Sequence, residues 1–152
     1  MAGLTSALCT SFKVELLEGD HDFNNAADAF KVALFKANAS ITGTFGAATT
    51  NYSDMTGNSD ELPATGGYTT TGFALTNVNP TSTGTTAFTD FSVNASWTSA
   101  TFTTRGCLIY NTSDSNSAVA VIDFGADYSV SGGTFEIQWP AADSTNAIIR
   151  IA

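Results

Sequence analysis

Thr134-Phe135-Glu136-Ile137-Gln138-Trp139 alternates apolar and polar side chains without a break. A period of two is the signature of a strand with one buried and one wet face. Upstream, Ala118-Val119-Ala120-Val121-Ile122-Asp123-Phe124 is apolar on both parities and reads as a more central strand. Gly106-Cys107-Leu108-Ile109-Tyr110 continues that pattern further back.

Outward from these runs, candidate strands fall at 72–77, 86–91, 92–98, 100–110, 118–124, 134–139 and 148–151. Asn79-Pro80, the polar stretch 111–117, Gly132-Gly133 and the stretch 140–146 supply turn signals between them. Short strands at close spacing predict a mainly β chain, an antiparallel β-sandwich or barrel. No repeat of fixed period appears, and the Thr/Ser/Gly tract 81–86 is too short for a linker, so residues 1–152 read as one β domain. A chain of this length buries about 68–70% of its unfolded surface, enough for a core without metals or disulfides.

The N-terminus has a different period. Leu4, Leu8, Phe12 and Leu16 stand at i, i+4 spacing, which predicts a short helix over about 4–18. Thr5 or Ser6 can cap it and Gly19 can stop it. Glu15 and Glu18 sit at the wrong end for the helix dipole, so packing rather than propensity is expected to hold it. Residues 30–36 fit a strand better than a helix. Residues 47–66 are polar and rich in turn formers and read as a long loop.

Charged residues make up 12% of the chain, against roughly 25% in a typical globular domain. Thr, Ser, Asn and Gly must solvate the surface instead. Net charge is −9, and the five cations are scattered. Nucleic-acid binding needs clustered cations to displace counterions, so no nucleic-acid partner is expected, and no anionic membrane surface. No basic n-region precedes an apolar segment, and no apolar run is long enough to cross a membrane as a helix. The chain is expected to be made in a cytoplasm and to stay soluble. Cys9 and Cys107 read as two apolar free thiols, although one pair permits one disulfide.

Chemistry is sparse. The one histidine lies in Asp20-His21-Asp22, where adjacent residues converge poorly on an ion, so it reads as a solvated turn after the helix. Serine catalysis would have to recruit that histidine, and no nucleophile elbow is present. Asp123 and Glu136 are the acids best placed to line a groove. The plainer reading is a strand-end turn for Asp123 and a wet sheet face for Glu136. Gly66-Gly67 and Gly132-Gly133 lack the Lys and helix of a phosphate loop. Two oxygen-rich stretches could hold calcium: Asp54, Asn58, Asp60 and Glu61 in one, Asp114 and Asn116 in the other. Neither has the EF-hand spacing. The Asn-x-Ser/Thr triplets at Asn38, Asn51, Asn94 and Asn111 are expected by chance in such a composition. Trp97, Trp139, Tyr52, Tyr68 and Tyr110 are candidates for a sugar-stacking platform, with Trp139 assigned to the core by its alternation. No catalytic, cofactor-binding or metal-ligating residue is assigned, and no enzyme activity is expected.

The runs 105–111, 118–125, 133–140 and 148–152, together with Ser11-Phe12-Lys13-Val14-Glu15-Leu16-Leu17 and Phe30-Lys31-Val32-Ala33-Leu34, resemble small virion structural proteins of tailed bacteriophages, including phages of aquatic bacteria. The resemblance covers most of the chain except 38–66. It implies a capsid decoration, or cement, protein on the outer surface of the head. Its partners would be the major capsid protein and copies of itself, as a trimer. Tail, baseplate or fibre-associated virion proteins, or a carbohydrate-binding adhesive module, are the alternatives. The expected contact surfaces are the N-terminal helix, with Leu4 and Leu8, and the 47–66 loop, with Tyr52, Asp54 and Asn58.

Overall fold

Two long strands organise the molecule. In a computed structural model, which describes residues 2–152, β8 (Ala95–Asn111) and β9 (Ser117–Ile137) form one antiparallel hairpin. The four runs 92–98, 100–110, 118–124 and 134–139 are therefore two continuous strands. The breaks expected between them are irregularities inside a ladder.

The remaining elements assemble around that hairpin. In chain order they are β1 (Gly3–Leu4), β2 (Ala7–Leu8), α1 (Thr10–Glu18), β3 (Phe30–Leu34), β4 (Thr44–Phe45), α2 (Tyr52–Gly57), β5 (Phe73–Ala74), β6 (Thr81–Thr83), β7 (Thr86–Thr89) and β10 (Ile149–Ile151). The main sheet has the order β2-β9-β8-β3-β5, with every pairing antiparallel. A second antiparallel sheet runs β10-β7-β6. A parallel pair, β1 with β4, completes the list. The chain is mainly β, as the alternation predicts, and consistent with a β-sandwich.

The core lies where both faces of the sheet are covered. Val32, Leu34, Leu108, Ile109, Val119 and Val121 are all essentially buried. Each side chain of this kind contributes about 1.5–3 kcal/mol by leaving water. Ile149 of the second sheet belongs to the same cluster. The free thiols are buried in it: Cys9 is pushed up to about 12, first by burial and then by Glu15, and burial alone pushes Cys107 higher still.

Two expectations are corrected here. The helix does not cover 4–18; α1 begins at Thr10. Leu4 and Leu8 sit on strands, because the sheet takes their backbone: Thr5 N donates to Phe45 O (2.9 Å) and Cys9 N to Val119 O (2.9 Å). A spacing of four is also a multiple of two, so the ladder at Leu4 and Leu8 fits a strand face as well as a helix face. Ser6 does not cap a helix but accepts from Asp123 N (2.9 Å). Gly19 does end α1, with φ of 87°.

Second, 47–66 is not a structureless loop. It contains α2, started by a capping box in which Asn51 accepts from Ser53 N and Asp54 accepts from Asn51 N. It then passes two buried acids. Asp60 is fully buried and accepts from Thr42 N (2.9 Å) and Gly43 N (2.7 Å). Glu61 accepts from the Tyr52 and Tyr68 hydroxyls and from Thr71 N (2.7 Å), and its backbone bridges to Phe35. The tract 81–86, read as too short for a linker, contributes a strand, β6, and the start of β7.

Asp90 does the same work in the second sheet, accepting from Phe91 N (2.7 Å) and Ile148 N (3.1 Å). Burial holds its carboxyl above the usual range, against the pull of those two donors. A chain with few charges thus places three of its acids inside, each tying backbone N–H groups of loops that the sheet cannot satisfy.

Candidate functional site

The outer half of the β8–β9 hairpin is bent, and the bend opens a groove. Gly106 pairs with Asp123 and Thr104 with Tyr128, so residues 124–127 stand opposite Arg105 alone. Gly125 makes this possible with φ of 82°. Arg105 braces the bulge: its Nε donates to Asp123 Oδ1 (2.7 Å), which also accepts from Gly125 N (2.9 Å). The guanidinium holds the Asp123 carboxyl below the usual carboxylate range.

The bulge folds Phe124 back over the strand. Its ring lies 6.2 Å from Phe135 and 6.1 Å from Tyr128, centroid to centroid. A groove of about 450 Å³ results, with Ile122, Phe124 and Tyr128 on one side and Phe135, Ile137 and Trp139 on the other. Ile148 and Pro140 also line it. Trp139 is fixed by its indole N–H, which donates to Val93 O (2.9 Å), and by its ring packing on Phe91 at 5.5 Å. Tyr128 is 52% exposed. Gly125, a lone glycine directly after the apolar run that ends at Phe124, is a sequence signal that fits this irregularity.

The residues expected to meet a partner are spread elsewhere. Leu4 and Leu8 pack partly buried against the core. Tyr52 stacks on Tyr110 at 4.5 Å and donates to Glu61; burial, then that hydrogen bond, raises its hydroxyl. Asp54 is occupied by the α2 cap and Asn58 by a bond from its Nδ2 to Asp54 O (2.8 Å). Tyr52, Asp54 and Asn58 thus spend these polar groups inside their own segment. Of the aromatic platform, Trp97 is only 6% exposed and Tyr68 3% exposed, so neither can stack on a sugar.

His21 is also placed differently from expectation. It is not a solvated turn residue but buried, with its ring 4.9 Å from Phe12. Glu15, His21 and Asp114 bring one ligand-type atom each within 4.8 Å of one another. The donor pattern does not suit a cation. Asn111 Oδ1 accepts from Ser113 N (2.9 Å) and Asp114 N (3.3 Å), which fixes the amide. Its Nδ2 therefore faces both Asp28 Oδ2 (2.8 Å) and His21 Nδ1 (2.9 Å). Nδ1 must accept, so the ring hydrogen sits on Nε2 and points at Glu15 Oε2, 2.8 Å away. A metal on Nε2 would need that hydrogen moved to Nδ1, against an amide N–H. The cluster ties α1 to the end of β8, and it explains Glu15 at the helix C-terminus. The proposed calcium stretches fare alike: Asp54, Asp60 and Glu61 each accept from their own set of protein donors rather than sharing a point.

No protein-family model matches the chain, and neither a curated protein nor a solved structure matches it.

Proposed function

We propose that the protein is a non-catalytic structural component of a tailed-phage virion, a decoration protein that sits on the outer head surface and bridges capsid subunits, in contact with the major capsid protein and with further copies of itself. The observation that carries this reading is the apolar groove on the outer hairpin, which leaves aromatic and aliphatic side chains on the surface of a chain with only 12% charged residues. Exposed apolar concavities of this kind mark contact sites. A surface poor in charge lowers the desolvation cost of burying it between many copies. Placement on a lattice lets modest contacts add through multivalency. The framework segments that resemble virion proteins include both strands of this hairpin.

The test is binding of the purified chain to expanded, empty heads, with electron microscopy of intact particles to read location and copy number. Near-stoichiometric density on the head lattice is the expected result. Density on tails alone, or none, overturns the head assignment.

A further inference from the structure

We infer that the groove receives an extended segment of the partner protein, apolar at alternate positions and carrying Lys or Arg, which docks along the open edge of β9. This rests on the reading of the groove as the contact surface and adds the chemistry of what fills it.

The edge supplies the first reason. Among the described residues, β9 has a strand beyond it only at Ala120 and Val121, where β2 pairs, with a single bridge from Asn51 at Ser117. Among the same residues, no strand pairs with its outer side from Phe124 to Ile137. Backbone N–H and C=O groups on such an edge are a template for an extended chain. Most of the groove lining, from Ile122 to Ile137, belongs to this one strand, and the bulge brings Phe124 back to Phe135; Trp139, Pro140 and Ile148 complete it. An extended segment can therefore meet backbone along the edge while every second side chain enters the apolar groove. Its volume, about 450 Å³, lies within the range of ligand pockets, about 300–1,000 Å³.

The bulge at 124–127 and the irregularity at Gly132, whose φ is 65°, cut the edge into runs 128–131 and 133–137. Short runs between kinks cannot template an open-ended sheet. A short segment fits, and a growing stack of copies does not.

Charge selects between a foreign segment and a second copy. Asp123, Asp127 and Glu136 stand along β9, and only Asp123 has a cation partner among the described residues. Asp127 accepts from Asn38 N (2.9 Å), and Glu136 from Asn94 Nδ2 (3.2 Å) and Gln138 Nε2 (3.0 Å). These donors are neutral, and Arg105, which pairs with Asp123 and attracts Asp127 more weakly, is one cation against the two acids beside it, so net negative charge remains along the strand. A second copy would bring the same acids on a chain of net charge −9. A basic segment answers them instead.

The probe is a capped hexapeptide of alternating Lys and Val, offered to the full chain and read by amide hydrogen exchange. Exchange should slow at least about tenfold within 128–131 and 133–137. A Glu/Val peptide should bind at least about tenfold more weakly, and N-methylation of alternate peptide amides should abolish the protection. Tyr128→Lys should weaken the Lys/Val peptide at least about tenfold while leaving the circular dichroism spectrum unchanged. No slowing in these runs overturns the inference. So does equal protection by the N-methylated peptide, which would mean side-chain contact without strand addition. Sedimentation as a dimer that protects the same amides without peptide overturns it in favour of a second copy. If heads are not bound but the peptide protects the edge, the virion reading falls and strand docking stands. If heads are bound while the edge stays unprotected, the reverse holds.

Discussion

The two halves of the β8–β9 hairpin share one ladder and differ in almost everything else. In the inner half, Leu108, Ile109 and Tyr110 pair with Val121, Ala120 and Ala118, and all six are buried, as are Cys107 and Val119 beside them. In the outer half, β8 alternates buried Trp97, Ala100 and Phe102 with exposed Thr98, Ser99, Thr101 and half-buried Thr103, while β9 is largely exposed from Gly125 onward. The inner half is covered on both sides. The outer half is covered on one. The inner half departs from regular pairing by one residue, between Ile109 and Tyr110; a strand buried on both faces tolerates little bending beyond that, because a larger shift opens a void. A strand buried on one face can carry bulges, and this one carries the groove.

That contrast can be broken by substitution. Leu108→Ala in the inner half should cost about 2–5 kcal/mol of stability, measured by chemical denaturation, because the fully buried site cannot collapse around the cavity. An equal loss at Tyr128 would erase the distinction between the halves.

Next comes the acid that ties the 58–72 segment to the sheet edge. Glu61→Ala leaves the Tyr68 hydroxyl and Thr71 N–H without their acceptor. The expected cost is about 1–3 kcal/mol, with faster amide exchange concentrated in that segment. Global unfolding without a local effect would show that the segment is not held separately.

A smaller effect sharpens the role of the buried acids. The Asp90 carboxyl is raised by burial, so its ionised form is disfavoured in the folded state. Stability linked to it is fully present below the ordinary carboxylate range and is lost as pH rises through the folded value. Asp90→Asn removes that dependence. The stability of the parent chain should fall relative to the variant between acid and neutral pH; a gap that does not change with pH would show that the shift is not felt. Asp123, held low by Arg105, has the opposite sign: its contribution is present at neutral pH and is lost as pH falls through its folded value.

The smallest expected effect on stability is Tyr128→Ser in the outer half, within about 0.5 kcal/mol, since the ring is 52% exposed. The same change should reduce binding to heads, which separates the contact surface from the fold.

Much of the framework was legible from residues. The alternation at 134–139, the two-sided apolar run at 118–122 and a strand within 30–36, which the structure gives as Phe30–Leu34, needed no tertiary knowledge. The candidate groove was only half legible. Phe135, Ile137 and Trp139 read as one buried face, but Gly132-Gly133 read as a turn between strands rather than an irregularity within one, and nothing local says that Phe124 returns to Phe135. His21 was misread because its surroundings are remote: Asn111 and Asp114 lie on the far side of the chain in sequence. Asp54, Asp60 and Glu61 looked like a shared oxygen cluster, and became separate ties for backbone that has no strand partner.

Composition and period, by themselves, determined that this chain would be β-rich, poor in charge and able to fill a core, because side-chain period and apolar content act through nearest neighbours. Tertiary structure alone decided that Leu8 joins the main sheet and Leu4 the parallel β1–β4 pair, that two pairs of short strands become two long ones, and that the outer hairpin bends into a groove. Each of those outcomes depends on which distant backbone supplies a hydrogen-bond partner or a covering face, and a spacing of four or a lone glycine fits more than one answer until that partner is in place.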